Sequence, residues 1–518
     1  MEEKITLDQI QSFKGKYPKQ LWYLFFSEMW ERFCFYGMRG MLTFFMVNHL
    51  FMSETKANLQ YGATQAFVYA FTFVGGLFAD KILGFRKSLF WGGILMIIGS
   101  AILAYDPVKF FFIGISFTII GTGFFKPNIS TMVGALYKQN DSRRDAGFSL
   151  FYSGINIGAL LGGYACITIG KNYSWHLAFG LAGIVMVISL ITFIFTKRSL
   201  GPIGLSPLES TDEEESILEM GGIGDAKPEP AIIQQKIKKG KKWHEYAVYI
   251  GSLLIIPVIM TMVAKTQYTD WFMYTIGPCT LIYLFYEMRQ YGAAARKKII
   301  AALIFILFSI LFWAFFEQSG GSLSLFAAKN LDNKLLGITL DPNGVNNSAN
   351  SLFVIIFAPI VGLVWLAMAK KKIEPNTVIK FGLGFIFLAG AFYIFYITRF
   401  FANMQGVASL DVFTTAYLVI TFGELCLSPI GLSIMTKLSP VKLQGVMMGM
   451  WFLASAYGQY VAGILGAGMA TAGENDTLPQ KLITFTDGYK QLAIYALIAG
   501  IVLIVISPII KKLMQEVK

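Results

Sequence analysis

The chain has 518 residues, of which 55% are hydrophobic, 15% aromatic and only 14% charged. An ordinary soluble domain carries about 25% charged residues, so this chain lacks the polar surface of a soluble protein. Its net charge of +12 comes from lysines and arginines spread through short loops, which argues against a nucleic-acid face and points to membrane topology instead. Cys34, Cys166, Cys279 and Cys426 are far apart and each lies in an apolar segment, so they read as packing residues and form neither a disulfide framework nor a zinc site.

Residues 1–20 are a polar tail with no small-residue cleavage site behind it, so no removable signal is expected and the first helix stays. Fourteen apolar spans follow, centred near residues 35, 73, 97, 120, 158, 186, 255, 280, 309, 361, 388, 424, 457 and 500. Their lengths approach the about 17 to 25 residues that cross a bilayer. Basic ends at Lys14 to Lys19, Lys81 to Lys87, Lys138 to Arg144, Lys197 to Lys242, Arg289 to Lys298, Lys370 to Lys372, Lys437 with Lys442, and Lys511 with Lys512 alternate with loops poor in Lys and Arg, such as 319–350 and 398–411. The positive-inside rule then places both termini in the cytoplasm. The stretch 199–242, acidic at Asp212 to Glu215 and basic at Lys236 to Lys242, reads as a solvated linker.

The first span carries Glu28, Glu31, Arg32 and Arg39. At 100° per residue, positions 28, 31, 32, 35, 36 and 39 share a face about 140° wide, which also takes in Tyr36. Each ionisable group at mid-membrane costs about 2.5 to 3.5 kcal/mol, so this stripe is expected to line a wet cavity and not to face lipid. Lys126, Glu317 and Glu424 lie in three further spans. Four carboxylates against three cations suit a zwitterionic cargo, whose ends each find an opposite charge. A carboxylate that is paired with a cation in one conformation and released in another takes up and returns a proton. His49, His176 and His244 lie at span ends or in a loop, which leaves that task to the carboxylates.

An internal repeat is visible. Gly121-x5-Pro127 and Phe151-Tyr152-x5-Gly158-x4-Gly163 recur as Gly423-x5-Pro429 and Trp451-Phe452-x5-Gly458-x4-Gly463. Spans four and five thus correspond to twelve and thirteen, and removing residues 245–290 leaves two six-helix halves related as parallel repeats. The expected fold is all-α, integral to the membrane and major-facilitator-like, with 14 transmembrane helices. Its expected parts are a 1–20 tail, a 21–198 six-helix half, a 199–244 linker, a 245–298 inserted helical pair, a 299–512 six-helix half and a 513–518 tail. The substrate site is expected between the halves near mid-membrane.

SEMWERFCFYG resembles the ExxERFxYYG motif of the proton-dependent oligopeptide transporters, with Glu28, Glu31, Arg32, Phe33, Tyr36 and Gly37 in place. GTGFFKPNIS and FYSGINIGALLG resemble further signatures of that family, and GGLFADKILGFRK at 75–87 resembles the wider major-facilitator loop motif. The inserted pair is similar to that of bacterial members, and the matches run from residue 28 to about 463. The resemblance implies a proton-coupled symporter importing di- and tripeptides by alternating access. It further implies a monomer in the cell inner membrane, with peptides, protons and lipid as partners and no nucleic acid or cofactor. Glu28, Glu31, Arg32, Arg39 and Glu317 would handle protons. Arg32 and Lys126 would receive the peptide carboxylate, with Arg39 contributing to binding. Glu424, Asn156 and Asn350 would hold the amino end, and Tyr36, Tyr69, Trp451 and Phe452 would shape side-chain pockets. Arg39 with Glu317, and Lys126 with Glu424, would be bridges made and broken during the cycle.

Three departures stand out. The first tyrosine of the motif pair is Phe35, so a hydroxyl is missing. Asn350 is followed by Ser351 where the family commonly has proline. The histidine of animal members falls at Gly62. Rival readings remain: a major-facilitator carrier of nitrate, drugs or sugars, or a passive channel. An enzyme is not expected, since no HExxH, GxSxG or P-loop sequence is present.

Overall fold

The structure, a computed structural model, describes residues 5–138, 141, 143–207, 243–427, 431–440, 443–472, 476–515 and 517. The linker residues 208–242 with their acidic and basic runs, Pro429 of the repeat and Lys442 lie outside the described residues. A chain that crosses a bilayer must satisfy its backbone polar groups internally, and long helices do this here. They are α1 (Lys19–Asn48), α2 (Glu54–Phe78), α3 (Gly84–Tyr105), α4 (Phe111–Ala135), α5 (Arg144–Asn172), α6 (Trp175–Thr196), α7 (Trp243–Leu254 continued by Ile256–Ala264), α8 (Thr266–Met288), α9 (Ala293–Phe316), α10 (Pro342–Lys370), α11 (Thr377–Ile397), α12 (Leu410–Leu427), α13 (Gln444–Ala472) and α14 (Leu478–Val505). Thirteen of the fourteen span centres expected from sequence fall inside these helices, and the one near 255 falls at the break within α7. Among the described residues, nine helical stretches are long and apolar enough to cross a membrane on length and composition, one of them running through α2 and α3 together. The first span is not among them because its ionisable residues lower its hydropathy.

Breaks follow local chemistry. Pro257 lies at the interruption of α7, where its missing N–H and its ring oppose a continuous ladder. Asp341 and Asn376 cap α10 and α11, their side-chain oxygens accepting from Gly344 N and Ile379 N, each at 2.9 Å. Glu317–Gly320 tightens into a 3₁₀ turn at the end of α9, followed by a helix over Ser322–Asn330 and a hairpin pairing Lys334–Leu335 with Ile338–Thr339.

The chain forms two compact units. The first comprises residues through Met38, Phe67–Gly162 and Ile169–Ala264, and the second Arg39–Ala66, Gly163–Thr168 and the residues from Lys265 onward. In the first unit α3 packs on α4 and α6. A Cβ on Gly92 would lie 2.5 Å from Gly121 O, and one on Gly121 would lie 2.7 Å from Gly92 O, so these backbones touch without side chains between them. Gly158 and Gly162 bring α5 onto α1 at Met29 and Phe33 in the same way. The 75–87 segment, read as a loop from sequence, is helical throughout, and its Arg86 donates to Gly201 O and Ile203 O at 2.5 and 2.6 Å, fastening the segment after α6. Helix α7 joins this unit through Lys87 and Glu245, 2.9 Å apart, and through Trp91 Nε1 donating to Ser252 Oγ at 2.9 Å.

The second unit repeats the scheme. Helix α11 packs on α12 and α14, and α9 on α13. Gly384 and Gly423 meet as Gly92 and Gly121 do, with Cβ positions 3.1 and 2.9 Å from each other's carbonyl oxygens. Gly458 sets α13 against α9 at Trp313, as Gly158 sets α5 against α1. The repeated glycines therefore sit at equivalent helix contacts. Helix α8 docks on α13, Tyr460 OH donating to Asp270 Oδ1 at 2.6 Å and Tyr457 OH to Met273 O.

This unit also contains the C-terminal part of α1, the N-terminal half of α2 and residues Gly163–Thr168 of α5. Gly62 of α2 meets Gly463 of α13 so closely that a Cβ on either lies 2.7 Å from the other's Cα. The position aligned with the animal histidine therefore holds a backbone contact and has no room for an imidazole. We expect Gly62→Ala to destabilise the protein by about 1 to 3 kcal/mol through overpacking, whereas Gly468→Ala on α13, where a Cβ meets nothing within 4 Å, leaves stability unchanged. Thermal melting of the two variants in detergent checks this, and equal melting temperatures would contradict it.

At the N-terminal end of α2, buried Glu54 accepts from Lys329 Nζ at 2.5 Å and Lys481 Nζ at 2.7 Å. One carboxylate thus ties α2 to the Ser322–Asn330 helix and to α14.

Candidate functional site

The stripe on α1 divides between two clusters. In the first unit, Arg32 Nε lies 3.0 Å from Glu28 Oε1, one helical turn away, and also in contact with Glu31 Oε2. Lys126 acts on both carboxylates as the second cation, and its Nζ stands 4.4 Å from the centre of the Tyr69 ring. The Arg32 guanidinium lies 5.3 Å over the ring of Phe35. At this position the ring is a platform for the cation, so the motif's missing hydroxyl takes nothing from that contact.

Glu28, Glu31 and Arg32 are buried, while Tyr36 and Arg39 are partly exposed. The stripe expected to line a wet cavity along its length is therefore closed over its first half, because Gly158 and Gly162 let α5 lie directly on α1 there. Among the described residues, Arg32 Nη2, Glu28 Oε2 and both oxygens of Glu31 find no hydrogen-bond partner, although Glu31 Oε2 lies in the ion pair with Arg32. Buried polar groups are nearly always paired, so these atoms hold unspent donor and acceptor capacity. Asn156 of α5 donates Nδ2 to Tyr152 O, 2.9 Å away in its own helix. Tyr36 packs edge-on against Phe35 with centroids 5.3 Å apart.

The second cluster lies in the second unit. Arg39 Nη2 forms an ion pair with Glu317 Oε2, and its Nε donates to Tyr61 OH at 2.7 Å. The Glu317 side chain is 4% exposed and that of Arg39 is 12% exposed, so the pair is largely withdrawn from water. Thr43 Oγ1 donates to Gly320 O, and a Cβ on Gly320 would run into Tyr61 OH. The expected Arg39–Glu317 bridge is thus formed, held between the end of α1, the start of α2 and the turn after α9.

Farther along the same unit, Asn350 Nδ2 donates to Glu424 Oε2 at 3.0 Å and to Thr421 Oγ1 at 3.1 Å. These two residues, expected to serve one ligand group, are neighbours despite the Asn350-Ser351 departure. Trp451 and Phe452 are partly buried on α13. Lys126 belongs to the first unit and Glu424 to the second.

Several residues here had not been singled out. Asn346 Nδ2 donates to Ser319 O at 2.7 Å, and its Oδ1 accepts from Tyr417 OH at 2.6 Å. A signal for them was present, since Asn343, Asn346, Asn347 and Asn350 fall at i, i+3, i+4 and i+7, one face of α10. Histidines sit elsewhere: His49 stacks on Phe45, His176 Nδ1 is 2.8 Å from Ala104 O, and His244 lies against Trp243.

A sequence profile described as the POT family matches residues 86–481. The chain is 33% identical over 516 residues to the peptide transporter YePEPT of Yersinia enterocolitica, covering 96% of each chain. It is 28% identical over 506 residues to dipeptide and tripeptide permease A of Pectobacterium carotovorum, covering 97% of this chain and 93% of the permease. Among solved structures, a substituted form of a peptide transporter POT in complex with alafosfalin superposes with a TM-score of 0.80 at 31% identity, over 99% of this chain and 100% of that one.

Proposed function

The chain belongs to the POT family, and from that premise we propose that it is a proton-coupled symporter that imports di- and tripeptides by alternating access. It is a multi-pass membrane protein, and its place in this reading is the cell inner membrane, as a monomer with both termini cytoplasmic. Protons are the coupling ion and no other cofactor takes part. A carrier function of this kind involves no covalent chemistry.

The observation that carries the reading is the buried Arg39–Glu317 pair. A carboxylate withdrawn from water and held by a single guanidinium has two stable states: ionised and paired, or protonated and released. Because the pair joins α1 to the turn after α9, a change of protonation alters a link between helices of the two sequence repeats. Glu28 and Glu31, which share Arg32, supply a second site for proton handling.

Recognition follows from charge. Arg32, with an unspent Nη2, and Lys126 receive a peptide carboxylate, for which a planar guanidinium is suited. Glu424, positioned by Asn350, receives the ammonium end, with Asn156 also assigned to that end. Arg39 contributes to binding through its pair, and Tyr36, Tyr69, Trp451 and Phe452 border the side chains.

Uptake of labelled dialanine into proteoliposomes under an imposed inward proton gradient tests the reading. Accumulation above equilibrium that collapses with a protonophore is the expected result. Uptake of nitrate or a drug in place of the peptide would overturn the cargo, and dialanine flux that only equilibrates would overturn the coupling.

A further inference from the structure

We propose that Asn346 and Tyr417 are positioning residues that relay the state of the Arg39–Glu317 pair to Glu424, so that proton binding at one cluster sets peptide affinity at the other. The proposal rests on the function proposed above and adds to it two residues and a route.

The route is continuous and lies wholly within the second unit. Glu317 opens the 3₁₀ turn Glu317–Gly320, and Ser319 in that turn is touched on both sides. Arg39 Nη2 donates to Ser319 Oγ at 3.4 Å, and Asn346 Nδ2 donates to Ser319 O at 2.7 Å. Tyr417 OH donates to Asn346 Oδ1 at 2.6 Å. One turn along α12, Thr421 Oγ1 donates to Tyr417 O at 2.7 Å, and one turn along α10, Asn350 donates to both Thr421 Oγ1 and Glu424 Oε2. Asn346, Tyr417 and Thr421 are buried, so no water competes and each contact is made or lost as a unit.

A chain of packed groups carries coupling only if one member has two arrangements. Here that member is the turn. With Glu317 ionised, Arg39 holds it from the α1 side. When Glu317 gains a proton the ion pair weakens, the turn shifts, and Ser319 O moves with it. Asn346 must follow to keep its bond, and through its other amide atom it carries Tyr417, and hence α12, relative to Glu424. The charged and titratable groups facing Glu317 are Arg39, with Tyr61 behind it, and Tyr417 from α12, with Tyr489 of α14 beyond Tyr417. Tyr417 is thus the titratable side chain on the α12 side of the pair, and its hydroxyl is the one group of the route that a Phe replacement deletes without changing shape.

Two measurements test this. The first compares gradient-driven dialanine uptake with counterflow exchange in Tyr417→Phe and Asn346→Ala. Counterflow should stay near wild type, which also shows that the variants fold. The variation of peptide KM with pH should shrink by about 5-fold or more, the lower range of allosteric couplings. Parallel loss of exchange and driven uptake, or an unchanged pH profile, would overturn the relay.

The second is independent of cargo. Hydrogen exchange of the detergent-solubilised protein should change over residues 343–350 and 414–424 when Glu317→Gln is introduced. In the Tyr417→Phe background the same substitution should still affect 314–322 and 343–350, joined by the Asn346–Ser319 bond, but no longer 414–424. An equal response of 414–424 in both backgrounds would refute the route. If wild-type protein carries no peptide, the proposed cargo fails while this measurement still decides the relay.

Discussion

Glu317→Gln is expected to lower gradient-driven dialanine accumulation by about 100-fold, near the upper range of coupling free energies between sites, while counterflow exchange survives. Glutamine keeps the size and shape of the side chain but stands for its protonated state, so the variant holds the arrangement the wild type reaches when Glu317 takes up a proton and the Arg39 pair weakens. What it lacks is a second protonation state. Exchange on one proton-loaded form needs no such change, whereas uphill movement does. Measuring both fluxes on one proteoliposome preparation separates the cases. Retained accumulation would remove Glu317 from coupling, and loss of both fluxes would make it a structural residue.

Arg32→Lys is expected to be nearly as damaging, although it conserves charge. Arg32 Nε lies between Glu28 and Glu31 while the guanidinium plane rests over Phe35. An ammonium cannot present two donors in a fixed plane or lie flat on a ring. Breaking a buried ion pair costs about 3 to 5 kcal/mol, and keeping the charge recovers part of it. A remaining loss of about 2.7 kcal/mol corresponds to about 100-fold in initial uptake rate. Initial rates at saturating and low dialanine, with detergent melting alongside, check this. An uptake rate within about 3-fold of wild type, which is less than 1 kcal/mol, would show that charge alone matters at residue 32.

Much of this is legible in the amino-acid sequence. The helices follow from apolar runs, because a membrane span announces itself by composition. The α1 stripe was readable because charge inside a span is costly and helical spacing gathers it on one face. The glycine repeat was readable because the same close contacts recur, Gly92 with Gly121 and Gly384 with Gly423. The closure of α5 over Glu28 and Glu31 was not, since it depends on which helix Gly158 and Gly162 meet. The partner of Arg39, 278 positions away, came from family likeness and not from spacing. Tyr61, Thr43 and Tyr417 escaped because a hydroxyl in a span is common and only a neighbour gives it a task. The four asparagines of α10 share one face by the same helical spacing that gathers the charges of α1, so they too are legible in the sequence.

The Glu54 cluster has a genetic consequence. One acid serves two bases, so the arrangement is redundant on one side only. If Lys329 is lost, Glu54 keeps Lys481, and the reverse holds equally. Losing Glu54 strands both lysines at once. Drift should therefore be tolerated at either lysine singly and scarcely at the glutamate, and a chain that has lost one lysine has used up its fault tolerance at this corner.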